Sequence, residues 1–165
     1  MAGAREEAAR RGYRVATIGK ATVGEARETA TRWLDQALAV IGQASGAVCV
    51  IGSGEPTVTV RGSGLGGRTQ EFALAAAHRL AAADLAPDRV VVLASAGTDG
   101  VDGPTDAAGA VVDRASLARA RASGLDPAAS LADNDAYRLF ERLGDLIRWG
   151  PTGTNVGDLH VLVMR

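Results

Sequence analysis

The stretch VVVLASAGTDGVDGPTDAAGA, residues 90–110, decides how this chain is read. Val90 to Ala94 is a short continuous apolar run of the kind that forms a strand buried on both faces. From Ser95 onward, Asp99, Asp102 and Asp106 stand among four glycines and Pro104, a composition excluded from helix interiors and central strands. The pattern predicts a buried strand whose C-terminal end carries an acidic, glycine-rich loop. In open α/β sheets ligands bind at that edge. Asp99, nearest the strand end, is therefore the leading candidate for chemistry, and Asp102 and Asp106 are expected to bond the loop's own backbone. The same residues also describe a solvated turn cluster, so the rest of the chain has to separate the two readings.

At 165 residues and 47% hydrophobic, the chain fits one domain with a sizeable core. A net charge of -1, from 18 basic and 19 acidic residues, gives no basic field for nucleic acid or an anionic membrane. Neither is an expected partner. Cys49 has no second cysteine, which leaves no disulfide framework and no zinc cluster. The N-terminal residues lack the apolar core of a signal peptide, and no apolar run reaches transmembrane length. A soluble, cytoplasmic protein is expected. Lys20 is its one lysine.

The remaining elements follow from periodicity. Residues 4–11 read as a helix ended by Gly12, and Tyr13 to Ile18 as a short strand. Thr22 and Glu25 have capping-box spacing ahead of a helix whose apolar positions, Ala26, Ala30, Trp33, Ala37 and Ile41, recur up to Gly42. Trp33, on that stripe, reads as core. Ala47 to Ile51 is the next strand, and the alternating Thr57 to Arg61 suggests a hairpin-like antiparallel partner. Helices are expected around Phe72, Ala76 and Leu80, over 115–122, after Asp126-Pro127, and over 136–143 with Asp133 or Asn134 as cap. His78 falls off the apolar stripe and is expected at the surface. Short strands are expected at 110–112 and 159–164. The fold class is α/β: a single domain, a mixed sheet of about five or six strands with helices on both faces.

GSGLGGRTQE, residues 62–71, tempts two familiar readings. Gly62, Gly64 and Gly67 fit a dinucleotide fingerprint, but that needs a buried parallel strand before it. Gly62, Gly67, Arg68 and Thr69 fit a phosphate-binding P-loop, except that Arg68 replaces its lysine. Both are rejected as named motifs. What remains is glycine-rich backbone entering a helix N-terminus, a place that favours a phosphate or carboxylate. Arg68 there opposes the helix dipole unless an anion lies beside it. An EF-hand counted from Asp99 puts Ala110 where its glutamate belongs, and no HExxH or GxSxG occurs.

Four ordered motifs, GGRTQE (66–71), SAGTDGVDGPTDAAGA (95–110), LADNDAY (131–137) and GPTGTNVGDL (150–159), together resemble one family. The chain is similar to the C-terminal, MOFRL, domain of type II glycerate kinases, a family also labelled hydroxypyruvate reductases. The resemblance runs from about Gly19 to the end and treats 1–165 as one such domain, with 1–18 the tail of a preceding one. It implies transfer of phosphate from ATP, with Mg2+, to the 2-hydroxyl of D-glycerate, in a cleft shared with a larger N-terminal glycerate kinase domain absent from this sequence. It also implies that Arg68 holds the glycerate carboxylate or a phosphate, with Asp99 a catalytic or magnesium-linked carboxylate beside it. Glu55 is a second possible metal ligand. Gly66, Gly67, Gly97, Thr98, Gly100, Thr154 and Asn155 would face substrate or phosphate. Thr69 and Gly157 stand where asparagines are usual, and residues 52–56 vary a usual Ser-Gly-Gly-Glu-Thr.

Three functions follow. The chain is part of a glycerate 2-kinase that needs its other domain, with the missing second basic group supplied from there. Alternatively it is a free-standing, non-catalytic module for a small anion or a protein partner. A hydroxypyruvate reductase is the weaker alternative, since no dinucleotide fingerprint survives.

Overall fold

The computed structural model describes residues 1–165. Six strands form one mixed sheet: β1 (Arg14–Thr17), β2 (Val48–Gly54), β3 (Val91–Gly97), β4 (Gly109–Asp113), β5 (Leu146–Ile147) and β6 (Asp158–Met164). Their order is β1-β2-β6-β3-β4-β5. β1 and β2 are parallel, and every other neighbouring pair is antiparallel. The expected α/β class holds.

Along β6 the residues alternate between buried and half-buried, so Asp158, His160, Leu162 and Met164 share the deeper face. That face packs on α2 (Ala26–Gly42) and α3 (Arg68–Ala81), whose Trp33, Leu34, Ile41, Phe72, Leu74 and Leu80 are almost wholly buried. Three short helices, α4 (Ser116–Ala122), α5 (Pro127–Ala132) and α6 (Ala136–Leu143), extend the same layer, with Leu117, Leu139 and Phe140 in its core. The opposite face carries α1 (Ala2–Arg10), which sets Ala8 against Cys49 and Ile51. Helices thus cover both faces. No helix is long and apolar enough to cross a membrane.

The structure corrects several expectations. Thr57 to Arg61 is not a strand. Thr57 makes only an isolated parallel bridge to Glu25, because β2 is already paired on both sides by β1 and β6. The alternation has another origin: Val58 packs on the core, while the Thr59 amide and hydroxyl donate to the Glu25 carboxylate at 3.1 and 2.7 Å. Glu25 is consequently spent on Thr59 rather than on a capping box, and α2 has no side-chain cap. β3 runs on to Gly97, three residues beyond the apolar run, because it is hydrogen-bonded by β4 and β6 on either side. Gly109 permits this, since a Cβ there would lie 1.9 Å from the Ser95 carbonyl oxygen. Asp126 does cap α5, accepting from the Ala128 and Ala129 amides. His78 is half-buried, not a surface residue.

Candidate functional site

At one end of the sheet the C-terminal ends of β2 and β3 flank the N-terminal end of the antiparallel β6. Asp158, the first residue of β6, is in register with Gly54 on one side and Gly97 on the other. Arg68, the first residue of α3, reaches over these strand ends to Asp158. Arg68 donates from Nε to Asp158 Oδ2 at 2.8 Å and from Nη2 to Oδ1 at 3.0 Å, and its Nη1 lies 3.3 Å from Glu55 Oε1. The Asp158 side chain is fully buried, whereas Arg68 keeps 30% of its side-chain surface. Burial pushes the Asp158 carboxyl up from its ordinary value while Arg68 pulls it down, and Asp158 in turn holds the guanidinium more firmly charged. The anion expected beside Arg68 is therefore one of the protein's own side chains.

Asp102 departs from its expected role. It reaches across the molecule to accept from the Thr69 amide at 3.2 Å and the Gln70 amide at 2.9 Å, so it caps α3. Its burial pushes the carboxyl up to about 6, against the pull of those amides. Gly67 makes room for it, because a Cβ there would stand 2.3 Å from Asp102 Cγ. Asp106 also leaves its own loop: it accepts from Tyr137 Oη at 2.7 Å and from Arg148.

The Asp133-Asn134-Asp135 turn does not cap α6. Asp133 accepts from the Ser63 amide at 2.9 Å, Asp135 from the Leu65 amide at 2.8 Å, and Asn134 from the Arg61 amide at 2.7 Å. Asn134 also donates to Glu71 at 2.7 Å from a left-handed φ of 56°. Glu71, 2% exposed, is bound in turn by Arg27. The turn thus clamps the glycine-rich segment that leads into Arg68. Gly62 and Gly64 serve this contact, each lacking room for a Cβ against Asp133 or Asp135.

Of the residues singled out from sequence, Glu55, Gly66, Gly67, Arg68, Asp99 and Asn155 line one cavity of about 430 Å³, together with Asp102. Asp99 is half-buried and binds the Val101 amide through Oδ1 at 3.2 Å, a local turn that leaves Oδ2 without a protein partner. Gly97, Thr98, Gly100 and Thr154 do not line this cavity. Thr98 instead stitches two loops together, donating to the Gly157 carbonyl at 2.7 Å and accepting from the Val156 amide at 3.0 Å. Gly100, with φ 89°, lets the backbone at Gly150 pack against the acidic loop. Lys20 lines a different cavity, beside Trp33 and Arg32. His160 is fully buried, stacked on Phe72 at 3.9 Å with Nδ1 3.0 Å from Ser95 Oγ, and burial lowers its pKa to about 3. It is a neutral core group.

Asp158 is the residue that sequence reading missed. Attention to strand C-terminal ends passes over the start of an antiparallel strand. A signal existed: Asp158, His160 and Leu162 share the inward parity of an apolar strand, and an inward carboxylate demands a cation.

Chemically, the cavity offers one fixed guanidinium edge and free carboxylate oxygens on Asp99 and Glu55. No three His, Cys, Asp or Glu side chains converge into a metal cage. The result is a charged cavity at the strand ends of an α/β domain, with one guanidinium edge among carboxylates.

The MOFRL family model matches residues 48–158, and the chain belongs to the MOFRL family. It is 46% identical over 134 residues to glycerate kinase of Mus musculus, a match covering 79% of this chain and 25% of that protein. It is 36% identical over 162 residues to a putative hydroxypyruvate reductase of Agrobacterium vitis, covering 95% of this chain and 41% of the relative. The crystal structure of a Thermotoga maritima glycerate kinase superimposes with a TM-score of 0.86 at 38% identity, covering 98% of this chain and 39% of that one. The chain thus spans well under half the length of these relatives.

Proposed function

We propose that this chain is the C-terminal part of a glycerate 2-kinase active site, transferring the γ-phosphoryl group of ATP to the 2-hydroxyl of D-glycerate. The observation that carries the reading is the two-pronged Asp158–Arg68 pair at the mouth of the cavity lined by Asp99. Phosphoryl transfer needs little covalent help from the protein; it needs fixed positive charge and a carboxylate to orient the attacking hydroxyl. Arg68 supplies the first, with Nη1 toward the substrate carboxylate or a phosphate once Glu55 yields. Asp99 supplies the second, accepting the hydroxyl proton as the new O–P bond forms and the bond to ADP breaks.

Mg2+ fits this donor set in its usual mode, held by one or two carboxylates and mainly by substrate phosphates. Asp99 and Glu55 are the residues that would hold it, and the ion would neutralise charge on the transferred group. Their free oxygens, without a third convergent ligand, favour a phosphate-borne ion over a protein cage.

The second half of the site belongs to a partner domain in this proposal. Single exposed apolar side chains are ordinary, but Val60, Val101 and Trp149 are 73%, 41% and 55% exposed on loops near the strand ends, with Val60 and Val101 lining the Arg68 cavity. A covering domain would bury them and exclude water from the reaction. The reductase reading finds no support in the glycine-rich segment, whose Gly62 and Gly64 are filled by Asp133 and Asp135 rather than left open to a pyrophosphate.

The test is product identity. Phosphorus NMR of this chain with ATP, Mg2+ and D-glycerate, alone and mixed with the N-terminal domain of a glycerate kinase, is expected to yield 2-phosphoglycerate in the mixture. Absence of product in both would leave the free-standing module. Oxidation of NADH by hydroxypyruvate would favour the reductase.

A further inference from the structure

Two cavities open side by side at the strand ends and share Glu55 and Asn155 on their border. The first is the charged one, with Arg68, Asp99 and Asp102. The second, of about 610 Å³, has Glu55 at the border as its one charged lining residue. Val23 and Val156, 65% and 73% exposed, both belong to it. Its backbone is kept bare at Gly54 and Gly157: a Cβ on Gly54 would lie 2.2 Å from the Thr22 carbonyl oxygen, and one on Gly157 2.8 Å from that of Gly54. Ala21, Val23 and Val156 are its apolar lining, and the remainder is polar side chain and backbone. Asn155 accepts from the Gly157 amide through Oδ1 at 3.1 Å, which orients its free NH2, and Ser53 contributes a hydroxyl.

Adjoining compartments, one rich in charge and one carrying only the shared Glu55, call for a ligand with one anionic and one uncharged end. A three-carbon hydroxy acid or a bare polyphosphate has no apolar face to set against Val23 and Val156. A nucleoside phosphate has both ends: flat apolar ring faces with hydrogen-bonding edges, joined to a charged chain. The volume lies within the range of ligand pockets.

We propose that the Val23–Val156 cavity is the nucleoside subsite of the phosphate donor, with the donor's phosphates crossing the Glu55–Asn155 border toward Arg68. The proposal rests on the phosphoryl-transfer reading and adds to it where the base sits.

Amide-resolved NMR of this chain, labelled and mixed with the unlabelled N-terminal domain of a glycerate kinase, titrated separately with adenosine, ADP, pyrophosphate and glycerate tests it. Adenosine and ADP are expected to move the resonances of Val23, Gly54, Val156 and Gly157, and pyrophosphate only those around Arg68. Val156→Asp, at an exposed position, is expected to weaken ADP at least tenfold while leaving the pyrophosphate Kd within twofold. If ADP and pyrophosphate both move only the Arg68 region, or if Val156→Asp leaves ADP affinity unchanged, the subsite is overturned and the kinase reading stands; the valines are then a surface for a covering domain. If ADP, pyrophosphate and glycerate all leave the spectrum unchanged, both readings fall.

Discussion

Arg68 and Asp158, 90 residues apart in sequence, make a two-pronged ion pair with N–O distances of 2.8 and 3.0 Å across the edge of the sheet. The carboxylate is fully buried and the guanidinium is not. The pair therefore works in one direction: a fixed anchor below and a presented cation above.

Removing either partner has unequal consequences. Arg68→Ala leaves a buried carboxylate unpaired and is expected to cost about 2–3 kcal/mol, below the value for a fully buried pair because Arg68 is partly solvated. Arg68→Lys keeps the charge but loses the fork, and should recover only part of that loss. Urea unfolding of the two variants at neutral pH measures both.

Asp102 makes stability depend on pH. Its folded carboxyl titrates near 6 against an ordinary 3.8, so the folded state holds the proton more tightly than the unfolded state. The contribution is fully present below about 4 and is lost as pH rises through 6. Relative to Asp102→Asn, the wild-type protein should gain on the order of 3 kcal/mol as pH falls from 7 to 4. Carboxyl carbon NMR should place the Asp102 midpoint near 6; a midpoint near 4 would remove the effect.

Gly67→Ala tests the same contact from the other side. Its Cβ would press to 2.3 Å from Asp102 Cγ, a stiff element on which α3's cap depends. A loss of about 2 kcal/mol or more is expected in thermal or urea unfolding, against only a few tenths for an open glycine in an ordinary conformation.

Asn134 should be as sensitive. Asn134→Ala removes its bonds to Arg61, Gly62 and Glu71 and leaves alanine in left-handed backbone, for an expected cost of about 2–4 kcal/mol. Asn134→Asp should cost more than Asn134→Ala at neutral pH, because it sets a carboxylate against buried Glu71 in place of the donated bond.

The strands, the long helices and the acidic loop were legible because each is written locally, in apolar periods and turn residues. The parts that escaped are held by contacts distant in sequence. Asp102 looked like a loop aspartate because nothing near it in sequence announces a helix 32 residues earlier that needs a cap. Asp133 and Asn134 looked like caps because the following helix is adjacent, whereas their partners are 70 and more residues away. Thr57 to Arg61 alternated like a strand, but β2 had no free edge to give it. Within the candidate site, Arg68 and Asp99 stood out by type and place, and Asp158 did not, since it begins a strand that runs against its neighbours. The clustering of Glu55 and Asn155 with them was visible only through the family resemblance.

The central claim is that the Arg68 edge fixed by Asp158 binds the reacting anion. Its most direct measurement is the rate of 2-phosphoglycerate formation from ATP and D-glycerate, with Mg2+ and the N-terminal glycerate kinase domain present, for wild type, Arg68→Ala and Asp158→Asn. The account predicts turnover by wild type, a loss of 100-fold or more in kcat/KM for Arg68→Ala, roughly 3 kcal/mol of transition-state binding, and an intermediate loss for a folded Asp158→Asn. Full activity in Arg68→Ala would contradict it.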